Sequence, residues 1–318
     1  MSIIFYRGRV RTHTPRRKLD LQVSPLTART PTSIFLRQMA PGAPKCGSRQ
    51  EISMKRVLMG TDMEGCAGIV SFEQQSRPTA RYYDQGKRIV TAEINAAVDG
   101  LLEAGLEDVL VVDGHGPGAV WFEDLHEKAR LLHGRPSAPR SVRDPIVAGY
   151  EACVMIGQHA MAGVSTSNQN HTQSSTSIDY YELNGSRIGE IAQFALYQGD
   201  LGLPLIFLSG EDDACREAEA LIPGISTVSV KQGLGRGSAI SLSAAEAGRR
   251  IREGIRQAVE RHLSDPILPL VWDGPYVLDK RFLFTDAADA ASSQPGAERI
   301  DDQTVRFHSD NIREIVYR

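Results

Sequence analysis

Three apolar runs in the first half of the chain break off in the same way. Arg56–Thr61, Asp108–Asp113 and Ala152–Gly157 are each the length of a strand and too uniformly apolar for one side to face water. Each stops at polar residues: Asp62-x-Glu64 after the first, Gly114-His115-Gly116 after the second, Gln158-His159 after the third. Between the first two runs, apolar residues recur at Ile89, Ile94, Ala97, Val98, Leu101 and Leu102, a helical period within Tyr82–Ala104. Gly105 then stands where a helix C′ residue belongs. A buried strand, a helix and a second buried strand make a parallel pair joined by a right-handed crossover. The fold expected is α/β, three-layered, with a mostly parallel central sheet. Functional groups in such sheets gather outside the carboxyl ends of the strands.

The rest of the body continues the pattern. A Pro-rich connection (Pro136, Pro139, Pro145) leads into the third strand. Ser177–Arg187 alternates like a strand into Asn184-Gly185, a strong hairpin-turn signal. Helices are expected over Ile188–Gln198, Asp212–Leu221 and Ser243–His262, and strands over Leu205–Ser209 and Thr227–Lys231. Residues 268–318 read as strands and a short helix, with an irregular loop at Asp286–Gly296. No internal repeat is visible.

Charge divides the chain unequally. Residues 1–53 carry 10 Lys and Arg against 2 Asp and Glu, which leaves 26 against 37 in residues 54–318. The first segment is rich in Arg, Thr, Ser and Pro and shows no apolar period. It is expected to be a disordered extension or the product of a start codon placed too early, with Met54 as initiator. A transit peptide also fits its composition; a secretory signal does not, for want of an apolar core. Residues 54–318 are then one domain. The acidic body argues against nucleic acid, which needs clustered cations. No apolar stretch approaches the ~18 residues of a membrane span. Cys46, Cys66, Cys153 and Cys215 are far apart and form no C-x-x-C pair. That suits a reducing, cytoplasmic setting and supplies no thiolate metal site.

Asp, Glu and His at converging strand ends are the donors that a hydrolytic metal site uses, because they bind the ion and leave a position for water. Each has a plainer role open to it. Asp62 could cap a turn, Glu64 could be a solvated carboxylate, and His159 could be a satisfied core histidine. His115 is harder to reduce, since glycines on both sides allow close backbone approach at a cost in entropy. His171 lies in the polar stretch Asn168–Ser175 and reads on its own as a surface-loop residue. Glu190, in a helix first turn, reads as a carboxylate favoured by the helix dipole, and so does the cluster Glu211-Asp212-Asp213. Gly233-x-Gly235-x-Gly237 lacks the phosphate-loop pattern and reads as a flexible connection. No G-x-S-x-G elbow is present, so serine-hydrolase chemistry lacks its signal.

Read together, five segments resemble the zinc D-aminopeptidase family founded on a dipeptide-transport operon enzyme. They are Asp62-Met63-Glu64-Gly65-Cys66-Ala67-Gly68, Asp113-Gly114-His115-Gly116, Gly157-Gln158-His159-Ala160, Asn170-His171-Thr172, and Asn184-Gly185-x-x-Ile188-Gly189-Glu190. Ser209–Asp212 and Val230–Gln232 are further points of likeness, and the series runs in order from residue 54 onward. The resemblance implies that Asp62 bridges two zinc ions, with Glu64 and His115 completing one site and His159 and Glu190 the other. His171 would be catalytic without ligating metal. Mn²⁺ or Co²⁺ would be possible substitutes. It also implies a homo-oligomer, a decamer in family members, and a short, D-configured peptide as substrate. Gln158 and Met161 depart from the family pattern around the third of these segments. Two other readings stay open on the same fold: a non-catalytic small-peptide-binding protein and a two-metal phosphoesterase.

Overall fold

The computed structural model describes residues 54–318, so the expectation for residues 1–53 lies outside the described residues. The chain opens with β1 (Arg56–Thr61), α1 (Tyr83–Glu103), β2 (Asp108–Asp113), β3 (Ala129–Leu132), α2 (Arg140–Val147) and β4 (Ala152–Gln158). It continues with β5 (Ile178–Leu183), β6 (Ser186–Ile188), α3 (Glu190–Asp200), β7 (Leu205–Glu211), α4 (Asp212–Leu221), β8 (Ser226–Gly233) and β9 (Ala239–Ser241). The last part is α5 (Ala244–Ser264), β10 (Tyr276–Phe282), α6 (Thr285–Ser292), β11 (Glu298–Arg299), β12 (Thr304–Ser309) and α7 (Ile312–Ile315).

Seven strands form the central sheet in the order β3-β2-β1-β4-β7-β8-β9, parallel throughout except for the edge strand β9. Alternation along the buried strands creates two apolar layers. Val57, Met59, Val154 and Ile156 pack with α1 and α5 on one side. Leu58, Cys153, Met155 and Leu208 pack with α3 and α4 on the other. Burying each such side chain is worth roughly 1.5–3 kcal/mol.

A second sheet, β11-β12-β10-β5-β6, is wholly antiparallel. It covers the outer face of α3. Ile191, Phe194 and Ala195 of that helix belong to the layer against the central sheet. Ala192, Leu196 and Tyr197 belong to the core of the second sheet, with Tyr181, Leu183, Leu278 and Phe307. α3 is therefore buried on both sides and holds its first residue, Glu190, between two cores.

Several boundaries differ from the sequence reading, each for a local reason. The expected helix at Ile188 starts at Glu190, because Ile188 pairs with Tyr181 as the end of β6. Asn184 and Gly185 both have positive φ (50° and 79°), as a two-residue hairpin turn requires. The Pro-rich connection contains β3 and α2. Pro145 costs α2 one internal bond, and the helix ends two residues later. Asp286–Gly296 is not irregular at its start: α6 occupies Thr285–Ser292 because Ala288 and Ala291 bury against the second core. The Gly233–Gly237 stretch joins β8 to β9 as a closed turn, with Leu234 N donating to Ser238 O and Ser238 N to Gly235 O. No helix among the described residues is long and apolar enough to cross a membrane.

Candidate active site

The carboxyl ends of β1, β2 and β4 lie side by side, and their polar continuations meet. Asp62 follows β1 directly. Its backbone N–H donates to Ile156 O, which ties the start of the loop to β4. Gly65 N then donates to Gly157 O at 2.8 Å. A Cβ on Gly65 would stand 1.9 Å from Gln158 O, so only glycine lets the Asp62–Gly68 loop lie this close to β4. Gly114 plays the same part for β2, since a Cβ there would come within 2.5 Å of Thr61 O. Asp113 accepts from Ala119 N and Val120 N, folding the loop after β2 back on itself.

Two groups of side chains result, each with its ligand-type atoms within 4.8 Å of one another. In the first, His115 Nδ1 is 3.2 Å from Asp62 Oδ1 and 3.1 Å from Glu64 Oε2. The second is His159, His171 and Glu190. His159 Nε2 lies 3.2 Å from Asp62 Oδ2 and 3.7 Å from Glu190 Oε1, and His171 Nε2 is 3.6 Å from that same oxygen. Asp62 thus turns one carboxylate oxygen to each group. The His159 and His171 rings stack at 4.1 Å between centroids. All six residues singled out in the sequence come together.

The other ring nitrogens are engaged by carbonyls, which can only accept. His115 Nε2 meets Ser76 O at 2.9 Å, His159 Nδ1 meets Ala160 O at 2.9 Å, and His171 Nδ1 meets Gln169 O at 3.0 Å. Each of these nitrogens must carry the proton. In the neutral imidazole the remaining nitrogen is a bare acceptor, and in all three histidines it is aimed at carboxylate oxygens. Acceptor facing acceptor is unfavourable unless a proton or a cation lies between. The side chains respond in the expected directions. Burial lowers the affinity of His115 for a proton, but Glu64 and Asp62 outweigh it and hold its pKa well above the usual value. Burial opposes the charge on His159 too, yet Asp62 and Glu190 push its pKa up to about 10. For Asp62, burial acts to raise the pKa, and the neighbouring His115 and His159 imidazoles overcome it. Glu64 Oε2 and His159 Nε2 are buried with no hydrogen-bond partner. Mixed imidazole and carboxylate donors with orphaned, inward-aimed atoms fit a pair of divalent metal ions.

A family model for D-aminopeptidase matches residues 54–318. The chain belongs to the D-aminopeptidase family. A D-aminopeptidase of Bacillus subtilis (strain 168) is 29% identical over 263 residues, which is 81% of this chain and 93% of that protein. In three dimensions the chain is similar to a Zn-dependent D-aminopeptidase from Bacillus subtilis, a self-compartmentalizing protease. The TM-score is 0.76 at 28% identity, over 82% of this chain and 94% of that one.

Behind these six residues stand groups to which sequence reasoning assigned no part in the site. Glu211, expected at a helix N-terminus and within a segment resembling the family, does precede α4, but its carboxylate is fully buried. It accepts from Ala160 N (3.0 Å), Asn168 N (2.7 Å) and the Ser167 hydroxyl, and so fixes the segment between His159 and His171. Lys231, on β8, is equally buried and donates to Glu64 O, to Ile69 O (2.6 Å) and to Asn168 Oδ1 (3.0 Å). Burial pulls its pKa down to about 8. Glu93 on α1 accepts from Ala67 N at 2.8 Å, and burial pushes its pKa up to about 7. Glu93 shares the apolar face of α1 with Val90, Ile94 and Ala97, which was the available signal; nothing in β8 sets Lys231 apart.

A cleft of about 640 Å³ opens beside Glu190 and Gln158. Leu58, Met155, Val147 and Phe194 give it apolar walls. Arg135 lines it as well, but its guanidinium is occupied by Asp113 O, His115 O, Gly116 O and Gly134 O.

Proposed function

We propose that this chain is a dizinc aminopeptidase that removes the N-terminal residue from short, D-configured peptides. The observation that carries the reading is the pair of histidine–carboxylate groups sharing Asp62, each turning bare acceptor atoms onto one point. Zinc is proposed because a family relative of similar fold is Zn-dependent and because an N/O donor set without thiolate suits a borderline ion. Asp62 would bridge the two ions, Glu64 and His115 would complete one site, and His159 and Glu190 the other. When bound, the two ions would acidify a water and polarise the scissile carbonyl.

The remaining work falls to the chain. His171 differs from His159 in exposure: its side chain is 12% accessible, that of His159 is sealed. A substrate can reach the one and not the other, so we assign His171 to proton transfer and His159 to metal binding. Its Nδ1–H is committed to Gln169 O, which leaves Nε2 to take a proton from the attacking water and return it to the departing amine. The cleft beside Glu190 would receive the rest of the peptide and exclude bulk water.

Other parts of the reading follow from the same family membership. We propose a closed homo-oligomer, by analogy with the self-compartmentalizing relative and with decamers in the family, which light scattering would measure. Three buried, unpaired thiols among the described residues accord with a cytoplasmic location. Residues 54–318 are taken as a peptidase domain, so a chain begun at Met54 should keep its activity and melting temperature. The direct test of the function is metal content measured alongside D- and L-aminoacyl anilides. Two equivalents of zinc with turnover of the D series is the expected result. Bound metal without turnover of either series would indicate a peptide-binding protein. Hydrolysis of an aryl phosphate instead would indicate a phosphoesterase.

A further inference from the structure

The cleft beside Glu190 holds cationic groups that the hydrolysis itself does not use. Arg140, Arg143 and Val147 sit three and four positions apart on α2, hence on one helical face, and all three line the cleft. Arg140 has no carboxylate within ion-pair distance among the described residues, and its side chain makes one bond, from Nη1 to Arg313 O. Arg143 is half-buried. It donates from Nη2 to the Tyr197 hydroxyl at 2.9 Å, and its nearest carboxylate, Asp144 Oδ1, is 3.7 Å from Nε. That carboxylate is already shared: the Tyr197 hydroxyl donates to Oδ1 at 2.8 Å and Arg313 Nη1 to Oδ2 at 2.9 Å. Arg313 is further paired with Asp200 at 2.6 Å. Glu314 also lines the cleft, but it is exposed and accepts from Ser309 Oγ. Arg140 and Arg143 therefore bring donors and positive charge to the cleft that no acid nearby fully takes up.

A guanidinium matches a carboxylate in charge and in its forked geometry. The apolar walls of the cleft that these arginines share with Glu190 suit the body of a small peptide. We infer that Arg140 and Arg143 bind the free C-terminal carboxylate of the substrate while its N-terminal residue lies beside Glu190. The substrate class is then peptides of roughly two to four residues with an unblocked carboxyl end, the size that a cleft of this volume takes. A longer chain would have to thread past the arginines, and an amide end would leave them unsatisfied. This deepens the peptidase reading and rests on it.

The test compares a D-alanyl dipeptide acid with its C-terminal amide on the zinc-loaded protein. In parallel, calorimetry measures binding of a reduced-bond isostere of each, which cannot be hydrolysed. The acid should be favoured by about tenfold or more, mainly through KM, the scale of one charge-assisted bond. Arg140→Gln and the Arg140→Gln/Arg143→Gln pair should lower the acid-to-amide ratio stepwise in both measurements. Arg140→Gln breaks only one bond to a backbone carbonyl, so it keeps the test open if the double variant folds poorly. Arg249→Gln, on α5 and away from the cleft, should keep the wild-type ratio and so control for net charge. Equal use of acid and amide, or a preference that survives both cleft variants, would overturn the assignment and leave the peptidase reading intact. Failure to hydrolyse any aminoacyl substrate would overturn the peptidase reading; the isostere pair would still report whether the arginines select the carboxylate.

Discussion

The two halves of the histidine–carboxylate cluster are built in different ways. Asp62, Glu64 and His115 stand on the ends of adjacent parallel strands, within loops pinned by β-sheet backbone and by glycine contacts. All three are buried. His171 and Glu190 come instead from a long connection and from the start of α3, and both are partly exposed. Glu190 Oε1 accepts from Gln173 N at 2.7 Å, so a loop and a helix end hold one another. The first half is a fixed seat; in the second, His171 and Glu190 are the members that the proposed function opens to a substrate. A hydrolase needs both, because ligands must be held rigidly while the group that moves protons must be reachable.

The sharpest way to break this comparison is to remove the residue that serves both halves. Asp62→Ala should lose both metals and reduce turnover to background, measured by elemental analysis and steady-state kinetics on one sample. Retention of two metals would remove Asp62 from the bridging position. His171→Ala should separate chemistry from binding: a fall in kcat of ~10²-fold or more with both metals kept and KM little changed. Metal loss in that variant would make His171 a ligand and the second half as much a seat as the first.

Support for the first half can be tested next. Lys231→Met leaves Glu64 O, Ile69 O and Asn168 Oδ1 buried without their donor. At about 1–3 kcal/mol for each unsatisfied group, a loss on the order of 3 kcal/mol or more is expected in chemical denaturation. Metal affinity should fall ~10–100-fold, the usual scale for groups that orient ligands. Wild-type affinity in a merely less stable protein would confine Lys231 to structure.

Glu93 gives a pH signature. Its folded pKa of about 7 exceeds the ordinary 4.5, so the folded state holds this proton more tightly than the unfolded state does. The stability this contributes is present in full below pH 4.5 and is lost as pH rises through 7. Glu93→Gln should flatten the denaturation profile over that window by a few kcal/mol at most. An unchanged profile would mean that other groups govern it. The smallest effect is expected at Gln173→Ala. It removes a side-chain bond to Gln193 but keeps the backbone N–H that Glu190 uses, so kcat should change only about twofold, a surface-scale perturbation.

Sequence legibility follows the same divide. Residues at strand ends inherit the strong signal of the strands, so Asp62, His115 and His159 could be placed at one edge of a sheet from periodicity alone. Nothing periodic surrounds His171, and Glu190 sits where an acidic residue is ordinary. Their place in the site was readable only through likeness to a family. Lys231 and Glu211 were harder still, because their burial depends on acceptors and donors supplied by segments 40 or more residues away. The separate antiparallel sheet escaped for a related reason: β5 and β10 pair across most of the second half of the chain. β3 and α2 hid behind prolines that marked a connection without excluding short elements within it.

The burial of α3 on both sides has a further consequence. Occupancy at Glu190 and solvent access to the antiparallel sheet become two readouts of one equilibrium. If Glu190 holds an ion as proposed, loading it should slow hydrogen exchange in β5 and β10, and stripping it should speed exchange there before α1 or α5 responds. The far sheet would then act as a gauge of metal load, legible in amides that never approach the ions.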